Sequence, residues 1–297
     1  MMQHRGVHRC RWARSATGTA WVVSFVAAVA VLLWSAPGFA GEASAEVSGT
    51  SGWSLSAGAG VQELASYDEM GSPLVYHGWG VPLMLRADLR RQGWSAGGRI
   101  DAMVSGFNAP HLSASPTGTG GDTEDPTARA VFGDLSGWIQ WPVASLAQHQ
   151  ISVGVGLGHW TFVRSYAYHP AQIGGVETWD AVVSADLRGG IKRQFDNWSW
   201  SVAASMSLGA RMLRPSHSMR GDERIGLVDQ PLRVLTYGGW ATVNRLQMMQ
   251  AEGALGWQLN SRWSLNGEYR VGYLSYRDDL TTRAFRQQVL VGATLHF

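Results

Sequence analysis

Several short stretches of this 297-residue chain set nucleophiles, bases and carboxylates close enough together to suggest chemistry. Gly93-Trp94-Ser95-Ala96-Gly97 fits the G-x-S-x-G pattern, in which a strained strand-to-helix turn exposes a serine nucleophile. The residues after it alternate as a strand does and no helical stripe follows, so this serine has no elbow to stand on. Gly154-Val155-Gly156-Leu157-Gly158 looks like a phosphate-cradling glycine run, but it too lacks a following helix whose N-terminus could hold an anion. Ser216-His217-Ser218, with Asp222 and Glu223 just downstream, is the most suggestive cluster, offering a hydroxyl, an imidazole and carboxylates for hydrolysis. A polar loop of that composition is more simply solvated surface. His77, His159, His169 and Asp180 fall near the ends of alternating segments, where folding could bring a base and a carboxylate together. No segment has metal-ligand or cofactor spacing, so no cofactor is expected and the residues point away from an enzyme.

A second set of charges is more regular. Arg86/Asp88, Arg99/Asp101, Asp186/Arg188 and Glu268/Arg270 are opposite charges two residues apart, and Asp134, Arg211 and Glu252 occupy equivalent positions in their own segments. On a strand, residues two apart share a face. If that face is enclosed, the charges must pair, because an isolated buried charge is expensive. Arg86, Asp88, Arg99, Asp101, Asp134, Asp186, Arg188, Arg211, Glu252, Glu268 and Arg270 are therefore expected to form one charge network inside whatever the strands enclose.

The elements that carry these residues read with a period of two from residue 53 onward. Segment 79–89 sends Trp79, Val81, Leu83, Leu85, Ala87 and Leu89 to one face, and segment 94–104 does the same with Trp94, Ala96, Gly98, Ile100, Ala102 and Val104. Segments 53–63, 131–141, 151–157, 179–191, 198–212, 249–259, 263–273 and 285–297 repeat the pattern, the seventh with Leu208 and Met212 on its apolar face. Each is about 10 residues long, the length a tilted strand needs to cross a bilayer. Polar loops at 64–78, 105–127, 163–178, 213–246 and 277–284 alternate with short turns at 91–93, 143–150, 195–197 and 260–262. The aromatics sort to the strand ends. Trp53, Trp94, Trp141, Trp198, Trp200, Trp257, Trp263 and Phe297 lie on the short-turn side, and Trp79, Trp160, Trp179, Tyr166, Tyr168, Tyr273 and Tyr276 on the long-loop side. Two aromatic girdles bounding an apolar band predict an all-β fold, a closed antiparallel transmembrane β-barrel. Ten strands are expected, or twelve if 231–248 holds two more.

Composition agrees. Gly (37) and Trp (15) are abundant, and the one cysteine, Cys10, precedes the alternating region, so no disulfide or Cys-ligated zinc is available there. Met1–Thr19 is basic, 20–34 (AWVVSFVAAVAVLLW) is apolar, and Gly38-Phe39-Ala40 offers small residues for cleavage. This is a secretory leader spanning 1–40, its apolar run being too short for a membrane anchor. Residues 41–52 follow as a short periplasmic segment, and the barrel occupies 53–297. Four of the 24 basic residues fall in the leader, leaving 20 against 22 acidic ones. Such a near-neutral chain has no basic stripe for nucleic acid.

The final strand, 287–297 (QQVLVGATLHF), resembles the terminal signature of bacterial outer-membrane barrels, which end in an aromatic residue after alternating apolar positions. The resemblance implies residence in a Gram-negative outer membrane and reading of this strand by the barrel-assembly machinery, with Val291, Ala293, Leu295 and Phe297 facing outward. Ten-stranded relatives include the omptin-like surface proteases, but no segment here matches their paired Asp and Asp/His motifs. The remaining expectation is a non-catalytic surface-interaction or envelope-structural protein with a mostly plugged polar lumen, its partners being outer-membrane lipid and lipopolysaccharide. The alternatives are a narrow, porin-like channel for small solutes and a surface hydrolase acting on lipid A, phospholipid or peptide, where Ser and His at the membrane edge would serve.

Overall fold

The computed structural model describes residues 52–69, 72–109, 127–146, 148–167, 176–214, 230–277 and 281–297. The leader, nearly all of the segment 41–52, His169, Tyr168 and the Ser216-His217-Ser218 cluster with Asp222 and Glu223 lie outside them.

The strands are β1 (Gly52–Asp68), β2 (Ser72–Arg91), β3 (Trp94–Asn108), β4 (Thr127–Leu146), β5 (His149–Ala167), β6 (Val176–Gln194) and β7 (Trp198–Leu213). A helix α1 (Gln230–Tyr237) and a four-residue strand β8 (Gly239–Thr242) precede β9 (Leu246–Gln258), β10 (Trp263–Arg277) and β11 (Thr281–His296). Neighbours in sequence pair antiparallel, β7 pairs with both β6 and β9, and β11 returns to β1. Ten staves thus close on themselves and leave no edge, as hydrocarbon surroundings demand. The stagger can be followed along one paired row, from Trp53 through Leu89, Ala96, Ile139, Val155, Leu187, Met206, Met249, Tyr273 and Phe285 to Ala65, 12 residues up the strand it started from. Such a stagger tilts the strands by roughly 40°. Every side chain in that row is apolar and faces outward.

The region 231–248 adds no stave. Its first part is α1, with Pro231 in the first turn, where a missing N–H costs nothing, and Gly238 closing the helix through its N–H to Val234 O at 2.9 Å. Strand β8 then pairs with the loop end of β7 (Gly209↔Thr242) while β9 pairs with the rest (Met206↔Met249). Between these pairs two residues of β7 oppose six on the other side, so β8 and β9 form one stave interrupted by a large bulge.

Two local features shape the wall. A Cβ on Gly60 would meet Val289 O at 1.8 Å, so β1 and β11 approach closely there as only glycine permits. Pro82 of β2 stands opposite this point, and the β1–β2 ladder skips the pairs at Gly60 and Val61 because Pro lacks a donor. At the β2–β3 turn, Gly93 takes φ 84°. The β4–β5 turn is tighter than the expected 143–150, since β4 runs on to Leu146 and β5 begins at His149.

Outward side chains in the apolar band are large and open: Trp79 is 63% exposed, Val104 68%, Leu157 67% and Val291 66%. Of the aromatics expected in the long-loop girdle, Trp79 faces out, whereas Trp160 and Tyr166 turn into the lumen core and Trp179 is covered by α1. Short turns and both chain ends of the barrel lie at the other rim, which by the usual rule faces the periplasm. The strands, however, overrun the expected loops. Residues 64–68, 75–78, 105–108, 163–167 and 274–277 are all strand. Beyond the upper girdle the alternation changes sign. Leu64, Tyr76, Phe107, Phe132, Phe162 and Leu274 point inward, whereas Glu63, His77, Arg129, Ser165 and Arg283 share the outward face. A wall that meets lipid turns its apolar side out, and a wall that meets water turns it in. The barrel thus continues past the membrane as a water-facing tube with its own apolar core.

Candidate functional site

The lumen holds three layers. In the middle, five arginines and five carboxylates from seven strands form one network. Arg99 Nε donates to Asp101 at 2.8 Å and its Nη1 to Glu268 at 2.6 Å. Arg270 reaches Asp101, Gln250 and, at 3.2 Å, Asp134, which also accepts from Arg286. Arg86 holds Asp88 through two donors, at 2.8 and 3.2 Å, and Arg188 pairs with Glu252. Arg86 and Arg188 also flank the Trp138 ring at 5.1 and 4.6 Å. Equal numbers of both signs, shared between opposite walls, satisfy the condition under which charges can be enclosed.

Nine of the eleven residues anticipated for this network lie in it. Asp186 faces the lumen beside Ser184 but joins none of these ion pairs. Arg211 lies on the outer wall. A bulge in β7, where Ala185 pairs with Gly209 but Asp186 with Ser207, reverses the alternation above Leu208. Met212, expected outside, is consequently buried in the lumen, and Arg211 turns outward to cap α1 through Leu235 O and Gly238 O, the latter at 2.6 and 3.0 Å. Arg286 and Gln250 escaped the sequence reading, although their inward positions follow from the alternation of β11 and β9.

Above the network lies a dry layer. Leu64, Met103, Phe132, Trp160, Phe162, Val182, Leu246, Met248 and Leu274 pack together across the bore, with Phe132 edge-on to Trp160 and Phe162 at 5.3 and 6.2 Å. Beside its lower face, a cavity of about 20 Å³ among Trp138, Trp160, Ser184, Asp186 and Gln250 has room for a water molecule or two.

Above the dry layer is a second ionic cluster. Asp68 and Asp180, both fully buried, share Arg164 and Arg214; Asp68 also accepts from Thr178 at 2.7 Å and Thr282 at 3.2 Å. It ties β1, β5, β6 and β11 to the end of β7. Just past β1, Glu69 accepts the Thr281 N–H at 2.6 Å and the Tyr67 hydroxyl at 2.9 Å. Burial opposes the charge on Glu69, but these hydrogen bonds outweigh it and hold the carboxyl below its ordinary range.

The histidine and aspartate positions do not converge. Asp180 points inward, whereas His159 shares the outward face of β5 with Leu157 and bonds to Thr161 at 3.0 Å. His77 faces outward on β2. A Ser–His pair does occur at the periplasmic rim, Ser264 Oγ to His296 Nε2 at 3.0 Å, but the charged neighbours of His296 are Arg90 and Lys192 rather than an orienting carboxylate. Ser95 lies on β3, with no helix after it. No metal-binding group of side chains occurs among the described residues.

On the outer wall, α1 packs Val234 against Trp179 and Ala181, flanked by Val163, Val183 and Leu213. Leu235, Tyr237 and Trp240 beside it stay exposed, and Arg211 stacks on Trp240 at 5.3 Å.

No protein-family model matches the sequence, and neither does any curated protein. Solved structures do match in fold. The outer membrane protease OmpT from Escherichia coli superposes with a TM-score of 0.52 at 7% identity, covering 83% of this chain and 97% of that one. Ail, the attachment invasion locus protein of Yersinia pestis, gives 0.32 at 10% identity over 83% and 99%. Neisserial surface protein A gives 0.30 at 9% identity over 82% and 97%. The chain has the fold of the bacterial outer-membrane β-barrels, and its apolar belt between two girdles is what that membrane requires. At such identities the likeness shows the fold and assigns no subfamily or activity.

Proposed function

We propose that the protein is a closed, non-catalytic barrel that acts at the cell surface through its loop end, as an interaction or envelope-structural protein. The observation that carries this reading is the dry layer across the bore. A narrow channel would need a continuous wet path, yet apolar side chains from all round the wall meet between two ionic layers. A hydrolase would need an acid and a base brought together at the loop end, and among the described residues His77 and His159 face outward, away from Asp68 and Asp180. The two aspartates there are fully buried and held by arginines. Single-barrel insertion into planar bilayers tests the proposal: at moderate voltage the protein is expected to leave the membrane silent, and steady conductance steps would overturn the reading.

Outer-membrane lipid and lipopolysaccharide are the partners this reading implies. Tyr237 and Trp240 lie beside the upper girdle, continuous with the lipid-facing belt, in the position where amphipathic aromatic rings favour the headgroup zone. A bimane label on Tyr237→Cys should be quenched by lipid-borne quenchers more than by aqueous iodide. The opposite preference would detach α1 from the lipid.

A further inference from the structure

The lumen treats its cations unequally. Arg86, Arg99, Arg188, Arg270 and Arg286 in the middle layer, and Arg164 and Arg214 in the upper one, each have a carboxylate within ion-pair distance. Near the periplasmic mouth the rule lapses. Arg90 follows Arg86 and Asp88 on the inward face of β2, Lys192 follows Arg188 on that of β6, and His296 follows Thr294 on that of β11. Neither Arg90 nor Lys192 has an ion-pair partner among the described residues. Lys192 interacts electrostatically with Arg90, and His296 with both, so cations from three walls converge on one another. The nearby carboxylate, Asp88, is already gripped by two donors of Arg86.

The wall around them supplies hydroxyl groups rather than acids. Ser264 bonds His296 at 3.0 Å, and Asn266, Thr294 and Ser56 continue the polar surface inward at 2.6 and 2.7 Å. Farther in, the Trp138 ring lies between Arg86 and Arg188. The rim has the same sign. Arg91, Arg193 and Arg262 stand at the same rim, where the described carboxylates are Asp196 and the chain terminus at Phe297, so basic groups are in excess. A low-dielectric funnel with one sign of charge concentrates counter-ions inside it.

We propose that this cluster of inward-facing cations is an anion site open to the periplasm, taking a phosphate group between Arg90 and Lys192. Asp88 offsets part of the repulsion at Lys192, but its two oxygens are held by Arg86, and a dianion that reaches both Arg90 and Lys192 relieves the rest. Guanidinium offers the forked donor geometry that phosphate oxygens fit, ammonium adds a mobile point charge, and serine hydroxyls complete the shell. A monocarboxylate supplies one charge and fewer oxygens, so it should bind less well. The site does not depend on the bore being closed above it, and its test reads neither conductance nor the loop end.

Lys192 is the only lysine in the chain. Reductive methylation of the purified, folded protein with carbon-13 formaldehyde therefore labels one side chain besides the N-terminal amine and preserves its charge. Titration with inorganic phosphate, at ionic strength held constant with sodium chloride, is expected to move the Lys192 methyl signal along a saturating curve while the N-terminal signal stays put. Acetate should be weaker. In Arg90→Gln, which removes an exposed side chain without an ion-pair partner and should leave the heat-modifiable gel mobility intact, half-saturation should need at least about tenfold more phosphate, the loss of one charge-assisted contact. A signal that follows ionic strength alone, equal responses to phosphate, acetate and chloride, or an unchanged curve in Arg90→Gln would overturn the proposal. The wild-type titration is decisive even if the variant fails to fold.

Discussion

Replacing Arg270 by methionine is expected to destabilise the barrel by about 3–5 kcal/mol, the cost of removing one partner from buried ion pairs. Arg270 is 2% exposed and contacts Asp101, Asp134 and Gln250 from three strands of the ring. Methionine fills much of the volume but leaves two carboxylates facing one another across the bore with less positive charge between them. Arg286 can still serve Asp134, and Arg99 can still serve Asp101, so the barrel should close but melt earlier. The measurement is urea unfolding in lipid vesicles, with the temperature of the folded-to-unfolded gel shift as a second readout. A double variant, Arg270→Met with Asp101→Asn, should recover part of the loss, because it removes a stranded charge as well as its partner. A single variant within 1 kcal/mol of the wild type would mean that water, not arginine, neutralises the middle of the lumen.

Asp68→Ala should cost a similar amount, about 3–5 kcal/mol, but its effect should be confined to the loop end. Arg214, Arg164, Thr178 and Thr282 all direct donors at this one carboxylate, which is fully buried. Without it, Asp180 faces two guanidinium groups alone. Strands β1, β5, β6 and β11 lose their common anchor above the dry layer, while the network below is untouched. Amide hydrogen exchange should therefore speed up at 64–68 and 178–182, with 96–102 and 133–139 protected as before. Uniformly faster exchange would show that the upper cluster supports the whole barrel, not only its extension.

Much of the architecture was legible because one rule, greasy residues toward lipid, acts on every stave within the bilayer. The ten segments, the short-turn girdle and most of the lumen charges follow from it, whereas Trp160 and Tyr166, read as girdle residues, belong to the inner core. The rule fails where its physical cause ends. Leu64, Phe107 and Phe162 lie above the membrane, where the apolar side belongs inside, so the pattern slips by one residue and reads as a loop. Asp68, Arg164 and Arg214 were hidden in those apparent loops, and the upper cluster with them. Arg211 and Met212 exchanged faces for a different reason: one extra residue in β7 shifts the phase, and nothing in the composition of 205–210 marks it. The stretch 231–248 kept an apolar content suited to strands, but Pro231 and Gly238 bracket a helix that packs on the wall from outside. Lys192 and Arg90 sat at lumen-facing positions all along. What the sequence could not show is that neither gains an ion-pair partner among the described residues.

The greasy septum between the two ionic layers also acts electrically. A water-filled bore would let a voltage fall gradually along its length, whereas a slab of hydrocarbon side chains behaves as a capacitor plate gap and takes nearly the whole drop. An ion stepping through would shed its hydration at a cost of several kcal/mol, by rough reckoning. In the closed barrel proposed above, the two ends are electrically separate. Whatever docks on the outer face and whatever enters from the periplasm share a scaffold but exchange neither charge nor solute.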